Sequence, residues 1–337
     1  MGQIWEKHIH DKLKELDKYL LDDYKKIKES EKQKRDYPKY EKEFMKRLKK
    51  AIKNLEPLIN EATLELRIYR GKGERPKLNV NQKLRIILIK QLIDKSNRNM
   101  AYMLDIFTMI SGIDISYKTI ERLYSDAEVD MALHNFFLLL LKKKNVNDVD
   151  ASGDATGYSL IISKHYCSVV QKLKEKAKEQ ILDVNKRKTF AYQFVIIDLK
   201  TKMYVCYGTS LISERKAFDK AIQMLEYMGI KINSIRLDRY YSNPCYADIF
   251  KDSVFYIIPK TNSTLSHGES WLNAMKSFVE NTINHLREYY KRENSESSFG
   301  CDKKMFGWRI MQKREDRIDT AIFCKTIWHN LLWAYSD

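Results

Sequence analysis

Apolar residues recur at three- and four-residue intervals from the start of the chain, a spacing that predicts helices. Leu13, Leu16, Leu20, Tyr24 and Ile27 mark one amphipathic helix; Pro38 breaks it, and Phe44, Leu48, Ile52, Leu55 and Ile59 mark a second. Charge fills the other faces, so residues 1–70 read as a charged helical region: a solvated bundle or, alternatively, a helical hairpin, a coiled-coil contact or a DNA-backbone arm. Gly71-Lys72-Gly73-Glu74-Arg75-Pro76 offers no apolar anchor and reads as a linker. In 77–142, Leu84, Ile87, Leu88 and Leu92 stripe a first short helix. A second is expected from Arg98 to Ile110, with Met100, Met103, Leu104 and Phe107 inward. Gly112 ends it, and Ser116 is placed to cap a third helix holding Ile120 and Leu123. Ala132 to Leu141 is a strongly apolar core helix.

From residue 145 the period changes. Val146–Asp154 and Tyr158–Ile162 form or flank a first strand, and the basic stretch 172–188 interrupts as helix or loop. Phe190–Asp198 and Met203–Thr209 are β-branched and aromatic runs joined by a short polar turn, a hairpin pattern. A helix over Ser213–Met228 ends at Gly229. A strand over Ile232–Asp238, a short helix from Tyr246, a strand over Val254–Ile258 and helix from about Glu269 follow. Three strands, then helix, strand, helix, strand, helix predict an α/β fold: a mixed sheet flanked by helices over 145–337, preceded by an all-α region.

Composition narrows the function classes. Lys+Arg 61 against Asp+Glu 45 gives a net charge of +16, which favours a polyanionic partner, nucleic acid first. Under that charge, the glycine turn and capped helix of 77–142 read as a helix-turn-helix, with Tyr117, Lys118, Glu121 and Arg122 facing outward. The plain alternative is an ordinary helical subdomain. Five scattered cysteines, Cys167, Cys206, Cys245, Cys301 and Cys324, fit neither a disulfide framework nor a zinc site. No apolar run approaches bilayer length, so a cytoplasmic protein without membrane association is expected. Seven scattered histidines offer no metal site, and His329, Trp308, Trp328 and Trp333 are expected in the core.

The chemistry-bearing stretch is Tyr289, Arg292, Glu296 and Lys303. Glu296 follows Arg292 by four residues and Lys303 follows Glu296 by seven, which on a helix is one face. Arginine and lysine grip phosphate oxygens and a carboxylate holds Mg²⁺; the bland alternative is a solvated face with ion pairs. Two further acids stand at strand positions, Asp154 in Asp154-Ala155-Thr156-Gly157 and Asp238 after the fourth strand. They and Glu296 are 84 and 58 residues apart, so only a fold can unite them. Carboxyl ends of adjacent strands are where open α/β sheets build their sites.

This pattern resembles the DDE transposases of prokaryotic insertion sequences. The stripe is similar to their Tyr-x2-Arg-x3-Glu-x6-Lys motif, and the element order resembles their ribonuclease-H-like catalytic domain. The resemblance implies that Asp154, Asp238 and Glu296 are catalytic and hold two Mg²⁺ ions, with Mn²⁺ able to substitute. It implies that Arg292 and Lys303 grip the phosphates of the element's ends and that Tyr289 contacts the DNA near the cleaved bond. The expected partners are double-stranded DNA, as transposon ends and target, and a second copy in a synaptic homodimer, in a nucleoid-associated setting. Lys118 and Arg122 are the expected base readers. Asp150-Ala151-Ser152-Gly153 nearly duplicates the first acidic motif, so Asp150 competes with the favoured Asp154, and Glu293 is an off-register neighbour of Glu296. Two rivals remain: a catalytically inactive, domesticated DNA-binding derivative, and a structure-specific nuclease of the same fold.

Overall fold

A computed structural model describes residues 4–30, 36–64, 66, 77–160, 190–265 and 268–336. The expected linker at 71–76, Cys167 and the basic stretch 172–188 lie outside the described residues. The first stripe forms α1 (Glu6–Glu15) and α2 (Leu21–Ser30), joined by a π turn at Leu16–Leu20. Asp36 caps α3 (Tyr37–Thr63) by accepting from Lys39 N at 3.0 Å, with Pro38 in the first turn, where its missing N–H is harmless. Only the second half of α3 is buried, through Leu55, Leu58, Ile59 and Ala62.

Asn79 and Gln82 form a reciprocal capping box at the start of α4 (Val80–Ile93). The helix expected over 98–110 is instead two pieces, α5 (Asn97–Met100) and α6 (Leu104–Ser111). Met100 and Phe107 point inward as expected, whereas Met103 and Leu104 are only half-buried. Gly112 ends α6 at φ +69, and Ser116 Oγ caps α7 (Tyr117–Leu123) by accepting from Thr119 N at 3.2 Å. The apolar α8 (Ala127–Lys143) closes the helical region.

A sheet of six strands follows: β1 (Asp148–Leu160), β2 (Phe190–Asp198), β3 (Tyr204–Ser210), β4 (Lys231–Arg236), β5 (Val254–Tyr256) and β6 (Arg309–Ile310). The main order is β3-β2-β1-β4-β5. β2 runs antiparallel to both of its neighbours, β1 and β3, while β4 runs parallel to β1 and β5 parallel to β4. The two-residue β6 pairs with the far end of β1, an element absent from the expected all-helical tail. Asp198 closes the β2–β3 turn by accepting from Lys200 N and Thr201 N. Among the described residues, the helices of this half are α9 (Glu214–Met228), α10 (Pro244–Ile249), α11 (Glu269–Glu280), α12 (Thr282–Tyr290), α13 (Glu293–Phe306) and α14 (Glu315–Ala334). The fold is therefore a mixed α/β sheet flanked by helices, with a helical region ahead of it.

One core joins the two halves. α14 packs on β3 on one side and on α3, α4 and α8 on the other, and nearly every side chain from Ile318 to Leu332 is buried. Its polar groups are satisfied in place. Asn330 donates to Tyr204 O and accepts from Tyr204 N, and Trp328 Nε1 donates to Leu88 O at 2.8 Å. His329 bridges Asp302 and Lys202 O, the core role expected of it. Among the described residues no helix is long and apolar enough to cross a membrane.

Candidate active site

β1 carries the first half of the site because alternate residues of a strand share a face. Ser152, Asp154 and Thr156 look toward α13. Between them, Gly153 faces the other way, where a Cβ would stand 2.6 Å from Leu237 and 2.8 Å from Phe194. A side chain at this position would require both of those buried side chains to shift. α13 is laid along β1 by matched contacts: Ser152 and Ser295 share a hydrogen bond at 2.7 Å, Ser152 Oγ donates to Arg292 O at 3.3 Å, and Lys303 Nζ donates to Thr156 Oγ1 at 2.5 Å. Asp154 and Glu296 fall between these anchors. β4 delivers Asp238 just past its carboxyl end, where the side chain caps a short turn by accepting from Tyr240 N at 2.9 Å.

The Tyr-Arg-Glu-Lys stripe crosses a helix junction instead of lying on one continuous helix. Tyr289 closes α12, Arg292 caps α13, Glu296 lies in its first turn and Lys303 two turns on. Arg292 stands at the centre: its Nη1 is 2.6 Å from Glu296 Oε1 and 3.3 Å from Asp238 Oδ2. Its Nε is buried without a partner among the described residues, and its guanidinium lies 5.4 Å from the Tyr289 ring centre. Burial works against the charged guanidinium, but Tyr289, Glu296, Asp238 and Asp154 outweigh it and hold Arg292 protonated.

The Asp154 carboxyl is held well above its ordinary range. Burial raises its pKa to about 6, the Ala155 N–H pulls the other way, and Glu296 and Asp238 add to the rise. Three carboxylates thus face one arginine, an anionic excess that an added cation would relieve. Their donors are all oxygen, which suits Mg²⁺. They ring Arg292 as they stand: among the described residues no three acidic, histidine or cysteine side chains are already drawn together as a metal cage. Burial also lowers the Lys303 pKa, and it pushes that of Tyr289 up to about 12. Tyr289, expected to contact DNA, is only 3% exposed and packs against Arg292.

Several expected residues lie elsewhere. Asp150 is exposed two pleat repeats back along β1, where Ser234 Oγ donates to its carboxylate. Glu293 turns away toward α2 and accepts from Lys28 Nζ at 2.5 Å, beside a Tyr24–Tyr290 ring stack at 4.6 Å. Lys118 and Arg122 are exposed on α7, as expected. Glu121, expected to face outward with them, instead pairs with Arg317 of α14, and Tyr117 is half-buried against the core. Trp308, assigned to the core from sequence, is 59% exposed because it follows the left-handed Gly307 on a tight surface turn.

Sequence reasoning missed Arg236 and Glu288. Arg236, 3% exposed on β4, donates to Glu288 O at 3.2 Å, Ala151 O at 3.4 Å and Ser234 Oγ at 2.5 Å, pairs with the Glu288 carboxylate, and covers the Tyr256 ring. It ties the strand leading to Asp238 to the helix leading to Tyr289 and Arg292. A charged residue inside an apolar strand, two before Asp238, was the available signal.

No family model matches the chain, and no solved structure matches it. A curated protein from Archaeoglobus fulgidus, described as a probable transposase for insertion sequence element ISA1214, is 42% identical over 306 residues, covering 90% of each chain. Identity of that depth over nearly the whole length carries the assignment: the chain belongs to the family of insertion-sequence transposases.

Proposed function

We propose that the protein is a DDE transposase that binds the terminal inverted repeats of its element, cuts them by metal-dependent hydrolysis and joins the 3′-hydroxyls to target DNA. The sheet half is then a ribonuclease-H-like domain, a reading supported by the β3-β2-β1-β4-β5 order with β4 and β5 parallel to β1. The observation that carries the proposal is the convergence of Asp154, Asp238 and Glu296 on Arg292, with Lys303 one pleat along the same face of β1. Asp154, Asp238 and Glu296 would hold two Mg²⁺ ions, with Mn²⁺ as substitute, and the metal would supply activation of a water or 3′-hydroxyl and charge stabilisation of the leaving oxygen.

The chain's own residues do the rest. Arg292 and Lys303 hold the phosphates flanking the cleaved bond, and Tyr289 keeps the Arg292 guanidinium in place from beneath. The anchors Ser152–Ser295 and Lys303–Thr156 keep α13 in register with β1, so the acids stay aligned as the strand is engaged. Asp154, not Asp150, is the first acid, because it is the one beside Glu296 and Arg292. The helical region 77–142 reads the repeat through Lys118 and Arg122, and two copies pair the two ends as a homodimer.

Mg²⁺-dependent nicking of a labelled duplex, made from the inverted repeat flanking the gene, tests this. Glu296→Gln and Asp154→Asn should bind the duplex and lose cleavage by orders of magnitude, while Glu293→Gln and Asp150→Asn cut like the parent. A folded Glu296→Gln that still cuts, or a dead Glu293→Gln, refutes the proposal.

A further inference from the structure

The turn after α13 holds a tryptophan in solvent on a rigid mount. Trp308 is 59% exposed, whereas Trp271 and Trp328 are at most 1% exposed. The backbone on either side of it is pinned. Gly307 has φ +84, and a Cβ there would run into the Asp94 carboxylate. Lys325, buried, donates from Nζ to Gly307 O at 2.7 Å and Arg309 O at 3.4 Å, with its ammonium 4.6 Å from the Tyr158 ring centre. Arg309 and Ile310 then pair with Ser159 and Leu160 of β1. A buried ammonium is unfavourable unless its donors are used, and both of these donor contacts go to the main chain flanking Trp308. An exposed aromatic on an immobile turn loses little order when another ring settles on it.

Its position gives that ring a purpose. Lys303 Nζ stands 5.4 Å from the Trp308 ring centre and 2.5 Å from Thr156 Oγ1, so Trp308 borders the face of β1 that carries Asp154. Lys304 and Arg309 are exposed beside it. We propose that Trp308 is a stacking platform for an unpaired nucleobase of the DNA strand whose phosphate Lys303 holds; this rests on the DNA reading above. Stacking accepts any base, because every base has a π-face, and the adjoining cations meet the phosphates on either side.

Binding by the full chain, without divalent metal, separates base from phosphate. Fluorescence anisotropy is read on two labelled strands of equal length and charge, an oligothymidylate and the same backbone with abasic sites. Trp308→Ala should bind the oligothymidylate roughly 5- to 150-fold more weakly than the parent, and Trp308→Phe should recover most of that loss. All three proteins should bind the abasic strand alike, and circular dichroism should show the same fold. Trp308→Ala binding both strands as the parent does, or losing as much on the abasic strand, overturns the inference alone. A parent that binds neither strand also overturns the inference, whereas the DNA reading is decided separately by nicking of the labelled duplex.

Discussion

Removing the Glu288 carboxylate should loosen the joint on which the acidic cluster is hung. Arg236 is nearly inaccessible, and Glu288 is its charge partner while also accepting from Lys291 Nζ at 2.5 Å. Glu288→Ala strands a buried guanidinium. Three of its acceptors persist, the carbonyls of Glu288 and Ala151 and the Ser234 hydroxyl, and the Glu288 side chain is 21% exposed. The loss therefore belongs at the low end of the range for breaking a buried pair, about 3 kcal/mol. At about 2.1 cal/mol/K per residue over 337 residues, that is a fall in Tm of about 4 °C. Lys291→Ala removes only the outer, half-exposed pair and should change Tm by roughly 1 °C or less. Burial alone would raise the Glu288 pKa, but hydrogen bonds from Lys291 and Arg236 outweigh it and hold the carboxyl below its ordinary 4.5. Its contribution is then complete above that pH and lost as the pH falls through the depressed value. The gap between parent and Glu288→Ala should close in acid. Thermal melts from neutral pH down to pH 3, with nicking measured in parallel, check this. A Glu288→Ala protein with the parent's Tm, or a Lys291→Ala protein equally damaged, refutes the assignment of the buried pair.

Other outcomes follow from the same geometry. Asp154 has its pKa raised to about 6, so stability is full below about 3.8 and is lost as the pH rises through about 6. Without metal, Asp154→Asn should melt above the parent at pH 8, with the difference vanishing below pH 4. Lys118→Ala and Arg122→Ala should each weaken binding to the inverted repeat by about 1–3 kcal/mol while sparing scrambled DNA; equal losses on both would make them phosphate contacts. For the parent chain, log affinity for scrambled DNA should fall linearly with log salt, about −0.9 per phosphate neutralised, and a flat response would remove the argument from the +16 charge.

Local signals carried most of the fold. The order of strands and helices, the Gly112 and Gly229 stops and the Ser116 cap are decided within a few residues, and each is where its neighbours put it. The break between α5 and α6 carries no glycine or proline to mark it, and Tyr102 within it is 85% exposed. Asp150 and Asp154 sit at the same parity of one strand, so alternation could not separate them; the contrast comes from α13, whose register on β1 is a pairing across 140 residues. Glu121 looked free because Arg317 is 196 residues away, and the Arg236–Glu288 pair likewise spans 52 residues. Trp308 was misplaced because tryptophan is usually buried. Gly307 before it was the sign that the chain turns there.

The buried course of α14 also orders events in the making of the protein. The helices ahead of β1 lack one wall until the stretch from Glu315 onward arrives, and β3 lacks its cover until the same moment. Both halves are therefore completed by the same late stretch of chain. A product interrupted before Glu315 would leave the apolar faces of both without that cover.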